Sequence, residues 1–153
     1  MATWDELSAL RPGAAVRVHG EDFLIERTIR FDENDCVWFE HRLSSDGTGR
    51  SLWLEIPADP DDAVIAYEHS ATVSFVPDGG PEIEYDGKRM ALQMSGRAEY
   101  RSVERASAAK HGTLVYHEYA AGDRRVTYET RDDSVWEVSE GRAIALAAVE
   151  ILA

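Results

Sequence analysis

The sequence predicts an all-β protein, mainly antiparallel, made of two consecutive and similar β-meander units with one short N-terminal helix. Two observations carry this. The stretches Val37-Trp38-Phe39-Glu40-His41-Arg42-Leu43 and Ser51-Leu52-Trp53-Leu54-Glu55-Ile56 alternate apolar and polar residues around a loop containing Asp46-Gly47, the pattern of a β-hairpin. A weaker echo recurs as Val115-Tyr116-His117-Glu118-Tyr119 followed by Val126-Thr127-Tyr128-Glu129-Thr130. The units are expected over residues 12–77 and 81–152, within a single domain of 153 residues. They are expected to pack face to face as a sandwich or a pair of open barrels, because each is too small to bury both of its faces alone.

Taken in order, Thr3 and Glu6 form a capping-box pattern, which predicts a helix over Trp4 to Leu10, ended by Pro12-Gly13. Val16 and Val18 alternate into a turn at Gly20-Glu21-Asp22, and Phe23-Leu24-Ile25 starts the return strand. Asp32 to Asp35 reads as an acidic turn before the hairpin of Cys36–Leu43 and Arg50–Ile56. Pro57 and Asp59-Pro60-Asp61-Asp62 form a rigid acidic connector. Two more strands are expected at Val64–Tyr67 and Thr72–Val76, the latter able to pair between chains if it lies at an edge.

Pro77-Asp78-Gly79-Gly80-Pro81 is the strongest break and the expected boundary between halves. Ile83 and Tyr85, an Asp86-Gly87 turn, then Met90 and Leu92 restart the pattern. Ser95 to His111 reads as a short helix or an extended edge excursion. A hairpin turns at Ala121-Gly122-Asp123, Val135–Val138 is a short strand, Gly141 a turn, and Ala143 to Leu152 is ambiguous between strand and helical turn.

The halves overlay with gaps: Gly20 on Gly87, Phe23 on Met90, Val37–His41 on Val115–Tyr119, Glu55 on Glu129. This suggests duplication of one β unit. Since alternate side chains point to opposite faces, Trp38, Glu40, Trp53 and Glu55 share one face of the first hairpin. Tyr116, Glu118, Arg125, Thr127 and Glu129 share the corresponding face of the second. A turn centred between Asp46 and Gly47 sets Glu40 across from Trp53 and Trp38 across from Glu55, and the second hairpin sets Glu118 across from Arg125.

Composition excludes several functions. The net charge is −13, with 15 acids and 6 bases in residues 1–77 (−9) and 14 and 10 in residues 78–153 (−4). Nucleic acid and anionic membrane surfaces are therefore not expected partners, since both need clustered Lys and Arg. The single cysteine, Cys36, excludes an intrachain disulfide, fits a reducing cytoplasm, and is expected as a small buried hydrophobe. Met1–Leu7 has neither a basic region nor an apolar run, so no secretion signal is expected, and no apolar stretch suits a membrane span. His19, His41, His69, His111 and His117 lack the spacings that place two metal ligands together. Asp59, Asp61 and Asp62 lack the glycine and distal glutamate of a calcium loop. There is no nucleophile elbow and no phosphate loop, so neither metal nor cofactor is expected.

The run Trp38–Leu43 through Trp53-Leu54-Glu55, with Tyr85-Asp86-Gly87, Tyr116–Tyr119 and Trp136-Glu137, resembles the uncharacterised bacterial family known as domain of unknown function 4178. The resemblance covers Pro12 to Leu152, with Phe39-Glu40-His41 where the family tends to have an aromatic-Glu-Tyr triplet. It implies a cytoplasmic accessory protein, in a membrane-stress or polyamine-related system, and supplies no catalytic residues. The aromatic–carboxylate face of Trp38, Glu40, Trp53, Glu55, Tyr116, Glu118 and Glu129 is the candidate site. Indole beside carboxylate suits an ammonium or guanidinium, so the expected function is a binding or adaptor module for a cationic small molecule or a basic protein segment. The alternatives are that this face is the packing interface between the halves, or that Glu40/Glu55 or Cys36 serve a small hydrolase.

Overall fold

The computed structural model describes residues 2–103 and 111–152. Among them are helix α1 (Trp4–Ser8) and eleven strands: β1 (Ala15–Val18), β2 (Glu21–Glu33), β3 (Cys36–Ser44), β4 (Ser51–Ile56), β5 (Val64–Val73), β6 (Glu82–Tyr85), β7 (Lys88–Ser102), β8 (His111–Ala121), β9 (Arg124–Arg131), β10 (Trp136–Ile144) and β11 (Val149–Leu152). A 3-10 turn covers Leu146–Ala148. The protein is all-β and antiparallel, in one sheet of order β11-β1-β2-β3-β4-β5-β10-β9-β8-β7-β6.

β2 is long enough to serve further neighbours. Its first part pairs with β1, and Ile29–Asp32 pairs with Ser102–Glu99 of β7. The cycle β2-β3-β4-β5-β10-β9-β8-β7 therefore closes part of the sheet into a ring. The two halves meet edge to edge through β5–β10 and β2–β7, in one continuous sheet rather than as two sheets stacked face to face. Edge pairing satisfies backbone groups that two separate sheets would leave open.

The alternation has its expected consequence on both sides. On the outer face of the first half, Leu43, Leu52, Leu54, Ile56 and Val64 pack with Leu7, Val16 and Phe23. Met90, Tyr119, Val126, Tyr128 and Val138 form the matching cluster on the second half. A third cluster, Ile29, Phe31, Trp38, Ala98, Leu114 and Tyr116, fills one end of the ring.

Helix α1 starts with the expected capping box and ends at Ser8, short of Leu10. It is pinned from beneath. His41 Nε2–H donates to the Leu7 carbonyl at 2.9 Å, which leaves Nδ1 to accept from the Thr28 hydroxyl at 2.9 Å. Burial lowers His41 to about 4, so the ring is neutral.

Several expectations are corrected. Cys36 is exposed, because it follows directly on the Asn34-Asp35 turn at the hairpin tip. Val64–Tyr67 and Thr72–Val73 are one strand, paired with β10 as far as Val73 opposite Trp136; β4 pairs only with Ile65–Tyr67, so Thr72–Val73 has a ladder partner on one side among the described residues, and Phe75 beyond it is exposed. Gly141 is a bulge inside β10, where a Cβ would lie 2.6 Å from the Ala66 carbonyl oxygen. Residues 95–102 extend β7, while 104–110 of the Ser95–His111 stretch lie outside the described residues. Ala143–Leu152 divides into the end of β10, the 3-10 turn and β11.

Candidate functional site

The site follows from strand parity. On β3 the odd residues His41 and Leu43 face α1 and the outer core, so Trp38 and Glu40 face the ring interior. Trp53 and Glu55 on β4, Tyr116 and Glu118 on β8, and Thr127 and Glu129 on β9 do the same. Glu40 is paired directly with Glu55, Tyr116 with Glu129, and Glu118 with Thr127. The expected cross-pairs Glu40–Trp53, Trp38–Glu55 and Glu118–Arg125 are each displaced by two residues: Trp53 stands opposite Arg42, and Arg125 opposite Ala120. The first hairpin turns about a loop from Ser45 to Arg50, with Ser45 N–H donating to the Arg50 carbonyl, so the register pivots later than Asp46-Gly47.

Contacts cross the ring. Trp38 and Tyr116 meet edge to face with centroids 5.9 Å apart. Tyr67 Oη and Thr127 Oγ1 are hydrogen-bonded at 2.9 Å, and Tyr67 O–H reaches Glu118 Oε1 at 3.4 Å. Tyr116 O–H donates to Glu33 at 2.6 Å. Gly96, paired with Tyr116, leaves room for Glu33, whose carboxylate a Cβ there would strike.

Two cavities open on this interior. One, of about 400 Å³, is bordered by Trp53, Tyr67, Arg42, Arg131 and Glu137; the other, of about 280 Å³, by Trp38, Tyr116, Leu114, Met94 and Glu118. Glu40, Glu55, Thr127 and Glu129 line both and form a waist between them. All seven residues selected from sequence thus border one connected interior. Tyr67, Arg131 and Glu33 were not selected; Tyr67 alternates with Ile65 on a recognisable strand, but nothing local aims it across the ring.

Residues 11–146 match the family described as Domain of unknown function (DUF4178). The chain belongs to this family. Uncharacterised proteins of Mycobacterium bovis and Mycobacterium tuberculosis are each 25% identical over 142 residues, spanning 88% of this chain and 68% of theirs. No solved structure matches the chain.

The interior of this DUF4178 domain is short of positive charge. Burial, then the neighbouring Glu129 charge, pushes Glu40 up to about 8; Arg131 and the Trp38 indole oppose the shift. Glu55 is held well above the ordinary carboxylate range by burial and then by Glu118, Glu40 and Glu129, against Arg125. Burial also raises Glu118, with Arg125 and the Tyr67 hydroxyl pulling it down, and Glu129, with Arg131 pulling it down. Arg131 stands 3.9 Å from Glu129, a loose ion pair. Arg42 is turned away, 3.7 Å from Glu26 and over the Trp53 ring at 5.6 Å, where Arg27 also sits at 6.0 Å. The DUF4178 interior therefore presents a group of carboxyls beside Trp38 and Tyr116; the Trp38 ring is stacked on Phe31 at 5.3 Å, and the Trp53 ring is engaged by the protein's own guanidiniums. Among the described residues, no group of three or more His, Cys, Asp or Glu side chains is arranged to hold a metal.

Proposed function

We propose that this chain is a binding module whose ring interior takes the cationic group, ammonium or guanidinium, of a polyamine or of a basic segment of a protein partner. The carrying observation is the carboxylate excess: Glu40, Glu55, Glu118 and Glu129 share one interior, where Arg125 and Arg131 act against them and Arg42 lines the larger cavity but sits over Trp53 beside Glu26. Burying a carboxylate without an ion-pair partner, as at Glu40, costs several kcal/mol, and the half-buried Glu55, Glu118 and Glu129 add to the local negative charge. An entering cation removes that cost, and the aromatic walls add ~0.5–2 kcal/mol per cation–π contact. The charge of −13 steers cations toward the mouth, an effect that fades with salt. Titrating spermidine while following tryptophan fluorescence, at low and moderate salt, tests this. Saturable quenching weakened by Glu40→Gln and Glu55→Gln supports it, and no saturable change at either salt removes it.

We also read the halves as copies of one β unit. In support, β1–β5 and β6–β10 each run in chain order, and the joins β5–β10 and β2–β7 bring together strands at the same place in the two runs. The correspondence sets Glu40 on Glu118; by register Glu55, the partner of Glu40, then falls on Thr127, the partner of Glu118, and Glu129 stands two residues further along β9. Glu40→Gln and Glu118→Gln should then weaken cation binding by similar factors; a difference beyond about tenfold, or 1.4 kcal/mol, counts against it.

A small hydrolase is the second reading, favoured by one observation. Glu40, pushed up to about 8, faces Glu55 across a single strand pair, and a proton-holding carboxyl beside a second one is what acid–base hydrolysis uses. That reading requires turnover abolished by Glu40→Gln with ligand affinity retained.

A further inference from the structure

The molecule offers the exposed Val135 on the border of the larger cavity, the edge strands β6 and β11, the half-buried His117 stacked on Trp136, and the two chambers of the ring. Only the last converges on a ligand. The waist is not merely acidic. Glu40 is 9% exposed, lines both chambers and makes no ion pair among the described residues, so a nearly buried carboxylate is aimed into the space.

The chambers differ in chemistry. Beyond the waist, the larger has charged and hydroxyl walls, Arg42, Arg131, Glu137 and Ser139 among them. The smaller is walled by Trp38, Leu114, Met94, Pro57 and Ala58, with Glu118, which the Tyr67 hydroxyl reaches at 3.4 Å, as the one carboxyl beyond the waist and the rim; Trp38, Leu114 and Tyr116 belong to the apolar cluster that closes this end of the ring. At its rim stand Glu33, Asp59 and Asp62. Two of these carboxylates are already engaged, Glu33 by the Tyr116 hydroxyl at 2.6 Å and Asp59 by the Asp61 backbone N–H at 2.9 Å.

We infer that the ligand is an amphiphilic monocation: an ammonium or guanidinium held at the Glu40–Glu55–Glu129 waist, carrying an apolar body that fills the chamber walled by Trp38, Leu114 and Met94. This rests on the cation-binding reading above and narrows it. At about 280 Å³ the chamber lies at the small end of the range for ligand pockets, so the body is small, a short alkyl chain or a single ring. Each methylene placed there leaves water for an apolar wall, which strengthens binding about three- to fourfold. A second ammonium in the same place would lose its water against indole, leucine and methionine.

The test uses the whole chain and four probes followed by tryptophan fluorescence: butylamine, hexylamine, hexanol and spermidine, at moderate salt. Hexylamine should bind about tenfold tighter than butylamine. Hexanol, which lacks the charge, should bind at least tenfold weaker than hexylamine, and spermidine no tighter than hexylamine. Met94 is half-exposed, so Met94→Ser leaves folding intact and should cut hexylamine affinity severalfold with butylamine nearly unchanged. Spermidine saturating while chain length and Met94→Ser have no effect would leave the cation site standing and overturn this inference. Hexylamine binding that is indifferent to Glu40→Gln overturns it too, by placing the amine elsewhere. No saturable change with any amine removes both readings together.

Discussion

Replacing Glu40 with glutamine should make the protein more stable at pH 8, not less. Burial and the Glu129 charge raise Glu40 from an ordinary 4.5 to about 8 in the folded state. Below pH 4.5 both folded and unfolded chains hold this proton and the group contributes nothing. Between 4.5 and 8 the folded chain keeps a proton that the unfolded chain has released, so stability falls as pH rises, by about 1.4 kcal/mol per pH unit. Across that window the loss reaches about 5 kcal/mol, and it is shared among four carboxylates that titrate together. Glu40→Gln keeps the shape and removes the charge, recovering about 2–3 kcal/mol, or about 5–10 °C in Tm for a chain of this size. The assay is thermal unfolding by circular dichroism for wild type and variant, from pH 5 to pH 8.5. The difference in Tm should be near zero at pH 5 and largest above pH 8. His41 titrates on the acid side in both proteins and cancels in the difference. A variant that melts below wild type at pH 8, or a difference independent of pH, would refute the claim that an uncompensated buried carboxylate sits there.

The same proton linkage acts on ligand. Hexylamine affinity should rise between pH 6 and pH 9 by about tenfold or more as the waist carboxylates ionise, measured by fluorescence titration at constant ionic strength. His41→Ala leaves the Leu7 carbonyl and the Thr28 hydroxyl unpaired under α1 and should cost about 3–4 kcal/mol by urea unfolding. Because the folded pKa of His41, about 4, lies below its ordinary 6.5, wild type loses stability as pH falls from 6.5 to 4, and the variant should lose that part of the slope. Gly141→Ala would force a methyl against the Ala66 carbonyl and the Tyr67 ring, costing about 2 kcal/mol or more and weakening ligand by displacing Tyr67.

The all-β class and the shared face of the candidate residues were legible because both rest on alternation, which is local. Trp38, Glu40, Trp53 and Glu55 are read onto one face from the period of the strand alone, whatever they pair with. The ring was not legible. It depends on Ile29–Asp32 finding Ser102–Glu99 and on β5 finding β10, pairings between segments far apart in sequence that carry no turn signal. Cys36 was misjudged for a related reason: composition favours burial of a cysteine, but its place one residue past the Asn34-Asp35 turn decides exposure. The role of His41 likewise depends on α1 folding back so that the Leu7 carbonyl stands over β3, and no spacing in the sequence announces that.

The errors in register left the shared face of the candidate residues unchanged. Both hairpins were set two residues out, which exchanges every cross-strand partner yet leaves each side chain on its own face. A slip of one residue would have sent Glu40 and Glu55 to the outer core and Leu52 and Leu54 into the ring, where burial costs forbid it. The slip of two changes the chemistry in a specific way. Glutamate over tryptophan is a comfortable pair, with the carboxylate beside an indole N–H. Glutamate over glutamate is not, and ring closure adds Glu118 and Glu129 from the far side to make it worse. An apolar lining would cost the fold less than Glu40, Glu55, Glu118 and Glu129 sharing one interior. The proposed cation would relieve that cost, which is why this interior, rather than the outer core, carries the proposal.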